Sequence, residues 1–495
     1  MSNPITFPEA SPESLGIPST AIERYLDHVR DKNLAINSLM ILRHGKLAAA
    51  GWWAPYAPDL VHAAHSLTKS FTSTAIGLMI HEGRIGLHDR VADLFPLDMP
   101  DHPSENLLKM DLWHLLTMTC GHETEPMPVG SENFTRAFLA HPVVRDPGTH
   151  YLYNSLASYM LTVLVYEKTG MNLLDYLRPR VLDPIGIGEV FCLTCPRGIE
   201  NGGGGMYIRT EDIARMAQLY LQKGRHDGVQ LIPEAWIDEA STWQVSTANH
   251  PAGDGDHTSG FGYHIWRCIP PDVYRFAGAN GQFGIVMPTK DAVAAITSSS
   301  WDTAGITEGF WDIVLPSMTD APLPEDPAAA GRLRDRLSRL RLAWTPARRD
   351  PAGESRLEGV EWVWPKNTFR FSLQRGAPSG AGVACTRIVF SGNRATMEYE
   401  EEGNNGRLLL GMDGNPVENP YMYAGHTFPV LATGAWTEDG AFVVDMRSIL
   451  NVAHRKMVMR PDGDRVRIRI ESTPNTDGLT NPPPLEFTAA ARTGV

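Results

Sequence analysis

Ser66 and Lys69 have the residue types and the spacing for nucleophilic chemistry, within the stretch "HAAHSLTKSFTSTAIGLMIHEGRIGLHDRVADLFP" that runs from His62 to Pro96. A serine hydroxyl is a weak nucleophile until a base takes its proton, and position i+3 of a helix shares a face with position i. A helix that begins at about Ser66 therefore sets Lys69 beside the serine. The helix N-terminus adds free N–H groups and partial positive charge where an oxyanion would form. A lysine acts as a base only where burial or a neighbouring cation lowers its pKa. The same spacing also fits a plainer arrangement, with Ser66 as the N-cap and Lys69 solvated in the first turn. Spacing alone leaves both open.

Other chemistry-bearing residues offer less. Cys192 and Cys195 form a C-x-x-C without a second pair or a His cluster, which is weak ground for zinc or redox work. Gly202 to Gly205 are four glycines in a row, suited to a close backbone approach to a substrate or to a simple turn. Trp52, Trp53 and Tyr56 read first as core residues and second as the wall of an acyl pocket. His65 and His114 bring no Asp/His pair with them. The chain has no Gly-x-Ser-x-Gly elbow, which disfavours an α/β-hydrolase triad.

The elements that must hold Ser66 and Lys69 follow from periodicity. An opening helix is expected around Ile22 to Arg30, then two strands over Ser38 to Trp53 joined at His44-Gly45-Lys46. From Ser66 to about Arg180 the pattern is helical, with three helices expected to stop at Gly83, Gly121 and Gly170. Strand patterns return at "FGYHIW" and "FGIVMPTKDAVAAITS", followed by a helix near "TEGFWDIVLPSM". Strands at both ends with helices between them predict one sheet closed by distant parts of the chain. The Pro/Ala/acid-rich "TDAPLPEDPAAAG", Thr319 to Gly331, reads as a linker. Beyond it, eight short alternating runs separated by turn residues predict an antiparallel barrel or sandwich.

Composition sets wider bounds. At 495 residues the chain exceeds what one core usually organises, so two domains are expected. It is 42% hydrophobic and 20% charged with a formal net charge of -13, and the acids are spread along its length. Such a surface repels phosphate backbones and anionic lipid, so neither nucleic acid nor membrane is an expected partner. The first residues lack the basic and apolar regions of a signal peptide, which predicts a cytoplasmic protein. Five scattered cysteines argue against a disulfide framework.

Taken in order, "HSLTKSFTSTAIGLMIHEG", "DLWHLLTMTCGH", "DPGTHYLYNSLASYMLTVLVYEKTG", "NGGGGMYIRTEDIARMAQLYLQKG" and "GANGQFGIVMPTKDAVAAITSS" resemble the serine β-lactamase-like hydrolases over about Ser38 to Met318. That superfamily includes class C β-lactamases, DD-peptidases, esterases and the amidase that cleaves nylon oligomers. The resemblance implies an antiparallel sheet flanked by helices, a helical lobe, and an active site between them. It implies that Ser66 is the nucleophile, Lys69 its base, and Tyr153 the tyrosine of a Tyr-x-Asn motif that relays the proton. A tyrosine beside an ammonium is expected to be drawn toward phenolate. The motif departs from the family at Ser155, with the amide one place early at Asn154, which puts amide or β-lactam recognition in doubt. The family's Lys-Thr-Gly is absent, and "YRFAGANGQFGIVMP" stands in its place. Arg275 is the basic side chain there. A backbone N–H near Gly278 or Ala279, with Asn280 beside them, is expected to complete an oxyanion hole with that of Ser66.

The expectation is thus an α+β protein with a β-lactamase/DD-peptidase-like catalytic domain over residues 1–320. A linker and short helix over 321–343 and an antiparallel β domain over 344–495 follow. The expected activity is hydrolysis of an ester or amide in a small molecule or short peptide through an acyl-enzyme on Ser66. A β-lactamase or D-amino-acid peptidase, and an inactive binding protein on the same fold, are the alternatives. No metal or organic cofactor is implied. The C-terminal domain is expected to restrict access to the cleft or to mediate homo-oligomer formation.

Overall fold

The computed structural model describes residues 6–128, 130–251, 255–371, 382–473 and 484–492. The chain divides into two compact units, one running to Ser298 and including Asp302–Leu340, the other comprising Ser299–Trp301 and the chain from Arg341 onward.

The first unit is built on a six-stranded antiparallel sheet. Its order is Lys46–Trp52, Ile36–Arg43, Ala292–Ser298, Gln282–Met287, Tyr274–Gly278 and Trp266–Arg267. Two strands from the start of the unit thus share one sheet with strands from its end, joined where Ile36–Arg43 pairs with Ala292–Ser298, as the pattern predicted. Successive side chains of a strand point to opposite faces, and the sheet is buried on both. Leu39, Ile41, Ala294 and Ile296 enter one apolar cluster, and Met40, Leu42, Val293 and Ala295 the other. The first cluster is closed by helix Ser19–Asp31 and by Phe310, Trp311 and Val314. The second is closed by helices Thr68–His81, Ser155–Thr169 and Thr210–Leu221. That second face positions the candidate site.

Two expected boundaries move. The helix expected to stop at Gly121 ends earlier, as Leu112–Thr117, because Met118 takes the left-handed conformation at φ 58°. The stretch 321–343, expected as a linker with a short helix, contributes its helix Pro327–Ser338 to the first unit. Leu333 is buried against the core of that unit and Arg336 pairs with Asp27 at 2.9 Å. Proline and acid did make the stretch irregular, but its leucines found a core.

The second unit settles the choice between barrel and sandwich. Nine antiparallel strands form a ring that runs from Asn404–Gly411 through Arg394–Glu401, Val383–Ser391, Glu361–Val363, Leu485–Ala491, Arg465–Thr473, His454–Asp462 and Phe442–Ser448 to His426–Trp436. The ring closes where Gly411 bridges Thr433 in parallel, with Val417–Tyr423 hairpinned outside the closure. Trp362, Trp436, Met397 and Ile468 fill its core.

Among the described residues, no helix is long and apolar enough to cross a membrane.

Candidate active site

Ser66 stands on a 3-10 turn, His65–Leu67, that runs directly into helix Thr68–His81. The residue flanking that helix is Leu67, itself in helical conformation and without a side-chain cap. Ser66 is therefore not the N-cap. Its hydroxyl oxygen instead accepts a hydrogen bond from Lys69 Nζ at 2.9 Å.

Lys69 is 2% exposed. Its Nζ also donates to the Gly203 carbonyl at 2.5 Å, lies 3.4 Å from Ser155 Oγ, and sits 4.8 Å from the centre of the Tyr153 ring. Removal from water lowers its pKa to about 7, against the opposing pull of the Glu125 carboxylate. Near neutral pH a substantial fraction of Lys69 is thus a free amine, able to take a proton.

Tyr153 behaves differently from the phenolate expectation. Burial holds its pKa above the usual tyrosine range, outweighing the downward effect of its hydrogen-bond partner Ser66, while Glu125 pushes it further up. A neighbour whose own ammonium is half lost cannot draw out a phenolate, so Tyr153 is a neutral phenol. Its ring stacks on Trp266 at 6.0 Å between centroids. Tyr151, Phe261 and Trp266 continue that aromatic wall.

Ser155, the departure from the motif, is the residue that reaches Lys69. Asn154 does not. Its side chain caps helix Ser155–Thr169 by accepting from Ala157 N at 3.0 Å, and its amide meets His122 Nδ1 at 3.1 Å. The residue is buried in those roles.

The third segment divides similarly. Gly278 ends strand Tyr274–Gly278 against the turn that carries Ser66, so closely that a Cβ there would stand 2.1 Å from the Ala64 carbonyl oxygen and 3.1 Å from Leu67 N. Ala279 and Asn280 form the turn that follows, with Asn280 buried at φ 63°. Gln282 braces the turn, donating from Nε2 to the carbonyls of Ala279 at 3.1 Å and Ser298 at 2.6 Å. Arg275 does not join the site. Alternation along the strand sends its side chain to the opposite face, where it pairs with Asp256, lies 3.4 Å from Cys268 Sγ and covers the Phe283 ring.

Two contributions were missed in the sequence. The glycine run is one, since its carbonyls hold the site together: Gly203 receives Lys69, and Gly202 receives Thr72 Oγ1 at 2.9 Å. A Cβ on Gly202 would fall 2.0 Å from Thr162 Oγ1 and 2.5 Å from Thr72 Oγ1, between the two site helices. Gly202→Ala is accordingly expected to lower stability by about 1–3 kcal/mol through overpacking. Urea denaturation checks this, and an unshifted midpoint would show that the helices part freely. The second is Glu125, whose Oε1 accepts the Ser155 backbone N–H at 2.7 Å. It lies in the irregular "GHETEPMP", where no periodicity marks it.

The remaining candidates have structural places. Tyr56 is buried against His62, while Trp52 and Trp53 pack on the two cores. His114 forms a capping box with Asp111. Cys192 and Cys195 are free and buried.

A family model described as Beta-lactamase matches residues 22–315. The 6-aminohexanoate-dimer hydrolase of Paenarthrobacter ureafaciens is 23% identical over 295 residues, which span 54% of this chain and 72% of that protein. Among solved structures, a Bacillus anthracis protein assigned as a 6-aminohexanoate-dimer hydrolase aligns with a TM-score of 0.52 at 20% identity, over 62% of this chain and 87% of its own. EstCE1, a hydrolase with promiscuous acyltransferase activity, aligns with a TM-score of 0.50 at 15% identity, over 60% of this chain and 99% of its own. At these identities the two structures bear on the fold.

Proposed function

This chain belongs to the Beta-lactamase family, and on that footing we propose that it is a serine hydrolase that cleaves an ester or amide bond of a small molecule or short peptide through an acyl-enzyme on Ser66. The observation that carries the proposal is the 2.9 Å contact between Ser66 Oγ and a buried lysine whose pKa lies near 7. A nucleophile and a base within hydrogen-bond reach, the base held by further groups, is the arrangement that covalent catalysis needs.

In this reading the Lys69 amine takes the Ser66 proton as the hydroxyl attacks the substrate carbonyl. The backbone N–H groups of Ser66 and of the strand end at Gly278 and Ala279 receive the oxyanion. Tyr153, neutral and in contact with Ser66, delivers a proton to the leaving group and recovers one from Lys69. Water then enters along the same path in reverse and releases the acid. Helix Thr68–His81 contributes its positive end to the developing charge. The hydrolase names among the matched relatives support the reading.

The test is intact-protein mass spectrometry after treatment with a fluorophosphonate, on wild type and Ser66→Ala in parallel. One adduct is expected on the wild type and none on the variant. An adduct that persists in Ser66→Ala would place the activated nucleophile elsewhere, and an unlabelled wild type beside a labelled control hydrolase would favour the binding-protein alternative.

A further inference from the structure

We propose that His264 is a positioning residue for the hydrolysis, one that holds Tyr153, the proton donor to the leaving group, in register with Ser66 and Lys69. This rests on the serine hydrolase reading above and adds to it a residue that acts through others. The Ser66–Lys69 contact lies within one helical turn and needs no outside support. Tyr153 comes from another part of the chain, one residue before the cap of helix Ser155–Thr169, so its place depends on how that helix meets Thr68–His81. His264 bonds to both helices. Its carbonyl accepts at 3.0 Å from Oγ of Ser70, the residue after Lys69, and its Nε2 lies 3.0 Å from Oγ of Ser158, one turn along from Ser155. Its N–H donates to the Leu116 carbonyl at 3.1 Å, within helix Leu112–Thr117. Two residues on, Trp266 carries the face on which the Tyr153 ring stacks. Both supports of Tyr153, the helix that follows it and the indole beside it, thus lead back to His264.

Stability alone does not explain the residue. His264 is buried and left-handed at φ 60°, a conformation that glycine takes without strain and that is uncommon for any other residue. Among the described residues its Nδ1 has no hydrogen-bond partner, and a buried polar nitrogen left unmet is unfavourable. Burial, with Lys69 nearby, lowers the pKa of the ring to about 3, so it is neutral and sets no charge against the lysine. What the imidazole does supply is a stiff reach from a backbone tied to Ser70 across to Ser158. An unfavourable backbone held in place between the two helices of a site is the pattern expected of a positional role.

His264→Gly removes the ring, relieves the backbone and keeps the bonds to Ser70 and Leu116. Ser158→Ala removes the other end of the ring's contact and leaves the smaller void. The experiment measures kcat/KM of wild type, both variants and the double variant on p-nitrophenyl, phenyl and benzyl acetate, at a temperature where circular dichroism shows each of them folded. The acyl group is the same in all three esters, and the leaving group needs a proton least in the first and most in the last. A misplaced Tyr153 therefore slows benzyl acetate most, whereas a loss of folded enzyme slows all three alike. His264→Gly is expected to raise the ratio of the p-nitrophenyl to the benzyl rate by about tenfold or more, a part of what a positioned acid supplies. Ser158→Ala is expected to move the ratio in the same direction, and the double variant no further than His264→Gly, because the two act through one contact. A ratio unchanged in His264→Gly, or in Ser158→Ala should the glycine variant not fold, overturns the proposal and leaves the hydrolase reading intact, as does a double variant whose shift is the product of the two. If wild type turns over none of the esters but takes the fluorophosphonate adduct, the same comparison is made on its phosphorylation by diethyl p-nitrophenyl phosphate and diethyl phenyl phosphate. If wild type is not labelled either, the hydrolase reading fails and the positioning role falls with it.

Discussion

Replacing Lys69 with methionine is expected to abolish turnover and, below neutral pH, to make the fold more stable. In the proposed mechanism Lys69 is the base and acts as one unit with the nucleophile Ser66, so its removal is expected to cost about four orders of magnitude or more in kcat. The gain in stability follows from the burial of the same group. Lys69 has a pKa of about 7 in the fold against 10.5 when exposed, with desolvation as the main cause. Between those values the unfolded chain binds more protons than the folded one, so stability rises with pH across that window. Below pH 7 both states carry the charge and its whole burial cost is present, about 5 kcal/mol at most by about 1.4 kcal/mol per pKa unit.

Methionine removes that cost but leaves the Gly203 carbonyl without its donor, which returns about 1–3 kcal/mol. A net stabilisation of about 2–4 kcal/mol is therefore expected at about pH 6, smaller by about 3 kcal/mol at about pH 9. Urea denaturation of both proteins at the two pH values checks it, and a difference independent of pH would show that Lys69 does not titrate in the fold as described. In the wild type the same titration puts the acid limb of kcat/KM near pH 7, because the protonated amine cannot accept the serine proton.

Much of this arrangement is legible in the chain, for reasons that differ by residue. The i, i+3 spacing of Ser66 and Lys69 survives into the structure because one helical turn enforces it whatever surrounds it. The sheet was readable because Ile36–Arg43 and Ala292–Ser298 are apolar throughout, as strands buried on both faces must be. The third motif was harder. Alternation along strand Tyr274–Gly278 decides which of its side chains faces Ser66, and composition, which marks Arg275 as the basic residue of the segment, does not tell that it pairs with Asp256 instead. Burial defeated the phenolate expectation for Tyr153, since spacing tells which groups meet but not how dry the meeting place is. Glu125 and the Gly203 carbonyl act through loops, where neither periodicity nor residue type signals a role. Leu333 lies in the stretch expected as a linker and short helix, and the structure buries it in the core of the first unit, which composition did not foretell.

Gly278→Ala is expected to lower kcat by about two to three orders of magnitude, the usual cost of losing one oxyanion-hole donor, with little change in KM. The backbone of Gly278 lies outside the left-handed region, so alanine brings no conformational strain, and the whole effect comes from contact. The added Cβ would meet the Ala64 carbonyl oxygen at 2.1 Å, and both groups are backbone, held by the sheet on one side and by the turn into helix Thr68–His81 on the other. Neither can rotate away. The strand end must back off, and it takes with it the N–H groups at 278 and 279 while Ser66 and Lys69 keep their own hydrogen bond. Gln282 opposes the shift through its bonds to the Ala279 and Ser298 carbonyls, so the displacement is local and folding is retained. The overpacking also lowers stability by about 1–3 kcal/mol, and two readouts separate the effect on the hole from general damage: circular dichroism that keeps the wild-type signature at the assay temperature, and a fluorophosphonate labelling rate that falls in step with kcat, because on the proposed mechanism the phosphoryl oxygen occupies the same hole. Wild-type turnover in Gly278→Ala would remove the strand end from the oxyanion hole and leave the positive end of the helix as the main stabiliser of the developing charge.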